Sequence, residues 1–456
     1  MFLIGHGISV RTDLPVPEWL FWWAAAVVLM ISFVALAALW PEPRLQRPGW
    51  RPLPGGTGRA LASRPVEVVC GAIGVFVLGL TLYAGLKGTE STTANWAPIF
   101  IYVIFWLSFV PLSLLFGDVF RAFNPWSAIG RAVAWVARSV SRSELPEPLA
   151  YPAWLGRWPA AVGIFGFATM ELVVSDGDKP QTLAVATLAY SAVTFIGMAL
   201  YGVERWCDRG EAFSVYFNLF SRLSVFETRD REVGVRKPLS GLAQLEQRPG
   251  TVPLVMVMIG TVSFDGFSSK RAWNSTSPDI SQFFQDLGSS PEHALELTFL
   301  LGMIGAVVFV TGFYRLGILG ARSVGRGFSA ARLSNEFAHA LVPIATAYVA
   351  AHYFTLLLYQ GQAIVYLASD PLGDGSDIFG TAGTQVKYGL IGSNIEWYLK
   401  VAFIVAGHVA ALTLAHDRAL AIYRDARQAV RSQYWMLGVM LGFTLLAVWL
   451  VSEANT

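Results

Sequence analysis

The stretch "AHALVPIATAYVAAHYFTLLLYQ", from Ala338 to Gln360, decides the fold class of this protein. It is almost entirely apolar, and an α-helix of this length is long enough to cross the roughly 30 Å hydrocarbon core of a bilayer. Two histidines, His339 and His352, lie within it. The stretch therefore predicts a membrane-spanning helix that carries imidazoles in a segment where the solvent would be lipid.

The composition of the whole chain supports the same fold class. Of 456 residues, 54% are hydrophobic and 14% are charged, whereas a soluble domain carries about 25% charged residues. This predicts a polytopic membrane protein whose main partner is the lipid bilayer. The arginines fall in separate short loops, so the sequence does not support nucleic-acid binding. The two cysteines form no Cys-X-X-Cys site and no disulfide framework.

Hydropathy predicts an all-α bundle of about ten spans, each of roughly 17–25 residues, in a single membrane domain over residues 1–456. The sixth span is the weakest, because it is short and contains glycines and an aspartate. It is therefore also consistent with a half-helix, and the Gly-rich stretch 360–394 is a second candidate for re-entering the membrane. The predicted spans lie near 18–40, 67–86, 97–116, 158–175, 181–203, 251–267, 294–317, 335–359, 395–416 and 433–452.

Arginine and lysine alternate between the predicted loops. The loops after spans one, three, five, seven and nine contain most of the arginines, and the intervening loops contain few cations. Because cytoplasmic loops carry an excess of Lys and Arg, this pattern places both termini outside.

Two long cytoplasmic loops, near 117–157 and 204–250, begin alike. The first reads "FGDVFRAFNPWSAIGRAVAWV" and the second reads "RGEAFSVYFNLFSRLSVF". Each contains Gly, an acid, any residue and Phe, with Asn and Ser a few residues later. This predicts amphipathic helices in the membrane interface and raises the hypothesis of an ancient duplication.

Polar residues at membrane depth concentrate in the outer half of the bundle. A charged side chain in the bilayer core costs several kcal/mol, so it normally faces the interior and often marks function. With the orientation above, Glu171, Asp265, His352 and, more deeply, His408 point to a cavity that is open to the outside. In contrast, His339 and His416 are predicted to be interfacial. Glu396 and Lys400, predicted to lie in the outer half, have the i, i+4 spacing of a helix-surface ion pair. Their spacing is equally consistent with a structural ion pair and with part of a functional site.

These four residues have the chemical types of a divalent metal site, with zinc or copper as the candidate ion. His352 and His408, with His6 from the N-terminal segment, would be the ligands, and Glu171 and Asp265 would be the catalytic acids around the bound water. The ligands come from separate spans, so no spacing in the sequence tests this prediction.

Haem and calcium fit less well. His339 and His352 are 13 residues apart, about 140° from sharing a helix face at 100° per residue, so a pair of stacked haems is disfavoured. The acidic turn "DPLGDGSD" has Thr381 where an EF-hand loop starting at Asp370 needs glutamate. We therefore interpret this acidic stretch as a surface turn.

Four stretches resemble a known family. They are "HGISVRTDLPVPEWLFWWAAAVVLMISFVALAALW", "ANWAPIFIYVIFWLSFVPLSLLFGDVFRAFNPW", "FAHALVPIATAYVAAHYFTLLLYQGQ" and "AGHVAALTLAHDRAL". They resemble polytopic actinobacterial membrane proteins known as fenitrothion hydrolases, over nearly the whole chain. The resemblance implies a multi-pass protein of the bacterial plasma membrane. It also implies hydrolysis of an apolar aryl organothiophosphate ester to a nitrophenol and a dialkyl thiophosphate.

The sequence leaves two other functions open. A small-solute transporter or channel would use the same polar cavity, and a redox or scaffold subunit of a membrane complex would bind haem or copper. The chain could also form a homo-oligomer, and the resemblance supplies no catalytic residues.

Overall fold

A computed structural model describes residues 18–47, 49–141, 146–324, 327–423 and 425–452. A π-helix, Phe100–Ser108, joins two short α-helices into one continuous segment, and 3₁₀ turns lie at Pro54–Gly56, Ala338–Leu341 and Gly361–Ala363. The α-helices are α1 (Glu18–Leu39), α2 (Thr57–Leu61), α3 (Arg64–Lys87), α4 (Trp96–Ile99), α5 (Phe109–Phe116), α6 (Val119–Phe123), α7 (Pro125–Val140), α8 (Trp158–Leu172), α9 (Pro180–Tyr201), α10 (Val203–Arg209), α11 (Ala212–Ser221), α12 (Ser240–Ala243), α13 (Thr251–Ser268), α14 (Arg271–Asp286), α15 (Pro291–Val324), α16 (Ala330–Phe337), α17 (Val342–Gln360), α18 (Ile364–Ser369), α19 (Ser393–Ile422) and α20 (Ala426–Ser452).

Nine helical segments in the described part of the chain are long and apolar enough to cross a membrane. They fit the predicted all-α, multi-pass membrane bundle. The fourth predicted span, α8, has 15 residues and reaches only about 22 Å at 1.5 Å per residue. The nine segments are Trp19–Leu39, Arg64–Lys87, Trp96–Phe116, Pro180–Tyr201, Thr251–Ser268, Pro291–Val324, Ala330–Ser369, Ser393–Ile422 and Ala426–Leu450.

The sixth span, α13, is the centre of the bundle. It is a continuous helix of 18 residues, so the interpretation of this span as a half-helix is wrong. Of its residues, 78% are buried inside the protein, the highest share among the nine segments. It packs against α8, α15 and α17. Its polar residues are tolerated because they face neighbouring helices rather than lipid.

The helices in the two long predicted loops differ in their burial. As predicted, α7 in the first loop is amphipathic, with exposed Val133 and Trp135 beyond its buried first turn. In the second loop, eight of the ten residues of α11 are buried, so α11 is a core helix and not an interfacial one. After α11 in the chain, β2 (Phe226–Arg229) and β3 (Glu232–Val235) form a small antiparallel sheet with β1 (Arg51–Pro52), in the order β1-β3-β2.

Close packing at a helical glycine gives a stability prediction. A Cβ added at Gly197 in α9 would lie 2.3 Å from the buried indole of Trp206, and a rigid ring cannot move aside cheaply. We expect Gly197→Ala to lower the free energy of unfolding by about 1–3 kcal/mol through overpacking. The measurement is an SDS titration in mixed micelles.

Gly312 in α15 is the matched control, because a Cβ added there meets nothing within 4 Å. Gly312→Ala should stabilise the helix by about 0.5–1 kcal/mol. Equal effects of the two substitutions would contradict the packing argument.

Candidate functional site

A hydrogen-bonded cluster centred on Asp265 lies in the buried core of the bundle. One carboxylate oxygen of Asp265, Oδ2, lies 2.8 Å from Nε2 of His352 and accepts a hydrogen bond of 2.7 Å from the hydroxyl of Tyr353. Asp265 is 3% exposed and His352 is 8% exposed. The cluster thus joins α13 to α17 and holds an acid, an imidazole and a phenol away from bulk water.

Glu171 in α8 is the second acid at this position. Its carboxyl group is close enough to Asp265, Tyr353 and Tyr216 to interact with them electrostatically. The residue as a whole is partly exposed, yet its Oε2 atom is buried and has no hydrogen-bond partner among the described residues. The structure therefore brings together three of the predicted site residues, namely Glu171, Asp265 and His352.

Aromatic side chains that the sequence analysis missed complete the cluster. The indole of Trp106 packs against Tyr353, with ring centroids 5.1 Å apart, and its Nε1 donates to the hydroxyl of Tyr216 at 3.2 Å. Tyr102, which interacts electrostatically with Glu171, donates to the carbonyl of Gly177. Both Trp106 and Tyr102 lie on the π-helix, an element that occurs frequently at functional sites. Of these aromatic residues, Tyr353 is the one that the sequence could have indicated, because it directly follows the predicted site residue His352.

A large apolar cavity lies next to this cluster. Its volume is about 420 Å³, within the range of about 300–1,000 Å³ found for ligand pockets. Its walls come from α3, the π-helix, α8, α9 and α11, with Phe100, Phe105, Phe120, Phe167 and Phe213 among its lining residues. Trp106 separates the two sites, because its ring contacts both Phe167 at 5.0 Å and Tyr353.

His408, the other predicted metal ligand in the described chain, does not join the cluster. It is fully buried in α19, where its Nδ1 lies 2.8 Å from the carbonyl oxygen of Ile404. Its Nε2 has no hydrogen-bond partner in the part of the chain that the structure describes. His6 lies outside the described residues. The side chains therefore offer a hydrogen-bonded acid–imidazole pair in place of a convergent set of ligands.

The metal prediction itself stays a prediction. Among the described residues, no group of three or more His, Cys, Asp or Glu is arranged to hold a metal ion. His352 already directs Nε2 to Asp265. We therefore derive the chemistry below from the side chains alone.

The two histidines predicted to be interfacial are buried between protein elements. His416 is 1% exposed, and its ring nitrogens contact Gln433 and the carbonyl of Trp40. The adjacent Asp417 accepts hydrogen bonds from Trp40, Arg44, Leu45 and Gln46. His339 is 3% exposed. His416 is buried because the chain after α1 folds back onto α19, which the sequence pattern does not show.

Two further predictions concern Glu396 with Lys400 and the acidic turn that begins at Asp370. Glu396 and Lys400 form a buried ion pair with 2.6 Å between Oε1 and Nζ. In the acidic turn, Asp370 accepts hydrogen bonds from the backbone of Asp374 and Gly375. The carboxylate of Asp370 is thus used within the turn, as expected for a surface turn.

The two similar loop segments contact each other reciprocally. Asn124 of the first donates to Glu211 of the second at 3.0 Å, and Asn218 of the second donates to Asp118 of the first at 2.8 Å. Each acid also caps the helix that follows it. Burial raises the pKa of the Asp118 carboxyl, and the hydrogen bond from Asn218 opposes this shift. The exchange fits the duplication hypothesis, which stays a hypothesis.

Comparison with known proteins gives no relative: no family model, no curated protein and no solved structure matches this chain.

Proposed function

We propose that this protein is an integral membrane hydrolase that cleaves an apolar ester at the Asp265–His352–Tyr353 cluster. The observation that carries the proposal is the pair formed by Asp265 and His352, because a carboxylate that orients an imidazole is the arrangement of a general base. The substrate class is the aryl organothiophosphate ester that the resemblance implies.

The cluster divides the chemistry between its members. With its Nε2 proton directed at Asp265, His352 has Nδ1 as the base that takes a proton from water. The water oxygen forms a bond to phosphorus as the bond from phosphorus to the aryl oxygen breaks, and the aryl oxide leaves. Asp265 stabilises the imidazolium, and Tyr353 holds the carboxylate in place. Glu171, in its protonated form, supplies a proton to the leaving oxygen. The imidazolium then passes its proton to the Glu171 carboxylate, which restores both the base and the acid.

The proposal includes the topology predicted from the loops. The chain has ten spans, namely the nine long segments and the short helix α8, and both termini lie outside. Asp265 lies near the outer end of α13, so the cluster is in the outer half of the bundle. A bacterial plasma membrane is the expected location.

The direct test is hydrolysis by the purified protein. We expect protein in lipid nanodiscs to release nitrophenol from an aryl dialkyl thiophosphate ester, at a rate proportional to the amount of protein. Metal content is measured on the same sample, and the assay is repeated after treatment with a chelator. Nitrophenol release no faster than with empty nanodiscs would contradict the proposal. Complete loss of activity after chelation would show that a bound metal, and not the side chains alone, carries out the hydrolysis.

A second candidate function is proton-coupled transport. It is favoured by the electrostatic contact between Glu171 and Asp265, because carboxyl groups of neighbouring helices at membrane depth form proton relays in transporters. Flux of a solute into proteoliposomes, accompanied by a change in internal pH and with no nitrophenol release, would select this function.

A further inference from the structure

The apolar cavity is a separate feature of the molecule from the acid–imidazole cluster. Among the described residues that line it, none is charged. Its lining includes five polar side chains with a hydroxyl or an indole nitrogen, namely Thr81, Tyr102, Trp126, Thr187 and Tyr190. What these groups bind decides which ligands the cavity can take.

Four of the five polar groups donate their proton within the protein. Thr81 donates to the carbonyl of Val77, and Tyr102 donates to the carbonyl of Gly177. Trp126 donates to Ser191, and Tyr190 donates to the carboxylate of Glu211. Among the described lining residues, Thr187 alone is left as a side-chain donor. Because a polar ligand would lose its hydrogen bonds to water without replacement, the cavity selects against one.

The position of the cavity favours a ligand that comes from the membrane. The cavity lies between α3, α8 and α9, which carry exposed apolar side chains such as Ile73, Val162 and Val185. In a bilayer these faces contact acyl chains. Gly166 also lines the cavity, and a Cβ added there meets nothing within 4 Å. The wall at α8 is therefore open, and a chain can enter sideways without passing through water.

We propose that this cavity, lined by aromatic rings and α3, α8 and α9, is a binding site for the acyl chain of a membrane phospholipid. The flat faces of Phe105, Phe167 and Phe213 supply an apolar surface for an alkyl chain. The bound chain completes the packing of the helices around the cavity. The inference does not depend on chemistry at Asp265, so it can fail or hold independently of the proposed hydrolysis.

The test is photo-cross-linking in vesicles. Full-length protein is reconstituted in phosphatidylcholine and phosphatidylglycerol that contain a phosphatidylcholine with a diazirine in its acyl chain, and cross-linked peptides are identified by mass spectrometry. We expect labels to concentrate on the cavity residues of α8 and α9, well above the labels on the lipid-facing surface of α15. Gly166→Leu should lower cavity labelling several-fold, because its side chain occupies the open space.

Two further variants make the result decisive. Gly312→Leu is the control, since Gly312 is also an exposed helical glycine with nothing within 4 Å of an added Cβ but does not line the cavity. It should leave cavity labelling unchanged. Ala186→Phe, in the α9 wall of the cavity, should also lower cavity labelling if Gly166→Leu fails to fold.

Labelling spread evenly over all lipid-facing helices, or undiminished in both cavity variants, would overturn the proposal. Displacement of the probe by an aryl thiophosphate ester would assign the cavity to substrate instead.

Discussion

Replacing His352 with alanine is expected to lower nitrophenol release by about 10²–10⁴-fold, the usual contribution of a positioned general base. The imidazole lies 2.8 Å from the carboxylate of Asp265, and no other histidine in the described chain contacts that carboxylate. Loss of the base leaves water without a proton acceptor. The measurement is kcat/KM with the aryl thiophosphate ester in nanodiscs, together with an unfolding titration that shows the variant is folded.

His408→Ala is the matched control for this prediction. His408 is also a buried histidine of a candidate spanning helix, but within the described part of the chain its ring is hydrogen-bonded only to the carbonyl of Ile404. Its loss should change kcat/KM by a few-fold at most. If His408→Ala and His352→Ala abolish activity equally, and bound metal disappears with both, a metal held by the two histidines would replace the acid–imidazole mechanism.

Glu211→Ala is expected to cause the largest loss of stability among the substitutions considered. The buried carboxylate of Glu211 accepts hydrogen bonds from Tyr190, Asn124 and the backbone of Phe213 and Ser214. Each buried donor left without a partner costs about 1–3 kcal/mol. We expect the free energy of unfolding to fall by roughly 3–5 kcal/mol, because relaxation restores part of the loss. An SDS titration in mixed micelles measures it.

Two comparisons separate this network effect from simple loss of a helix cap. Glu211→Gln keeps a side-chain carbonyl that accepts from the backbone and should cost much less. Asp118→Ala removes the reciprocal cap, which accepts hydrogen bonds from Asn218 and Arg121 alone among the described residues, and should cost about 1–2 kcal/mol. If Asp118→Ala were as damaging as Glu211→Ala, the argument from the number of orphaned donors would be wrong.

Hydropathy predicted the spanning helices well because the length of an apolar run is a local property. The same method placed a span at α13 but rated it the weakest. Its glycines and Asp265 left a half-helix open as an alternative, since hydropathy assumes that a helix faces lipid. In the structure α13 is surrounded by other helices. A helix in that position meets a protein interior on most sides, so its residues need not be uniformly apolar.

The likeness of the two loop segments was visible in the sequence, but the contacts between them were not. Both segments repeat the pattern of Gly, acid and Phe, and in the structure each acid caps the helix that follows it. The crossed hydrogen bonds from Asn124 to Glu211 and from Asn218 to Asp118 join residues 87 and 100 positions apart. Such pairs depend on how α6 and α11 dock, which no local pattern records.

The sequence by itself determined that the chain is a helical membrane bundle with acids and histidines at membrane depth. Composition and hydropathy are properties of one helix at a time. They are sufficient for that conclusion because it concerns each helix separately. Only the tertiary structure decided that His352 meets Asp265, which lies 87 residues away, and that His408 does not. The rotation and depth of α13, α17 and α19 are determined by side-chain packing across the bundle, and a shift of one residue turns a helix by about 100°.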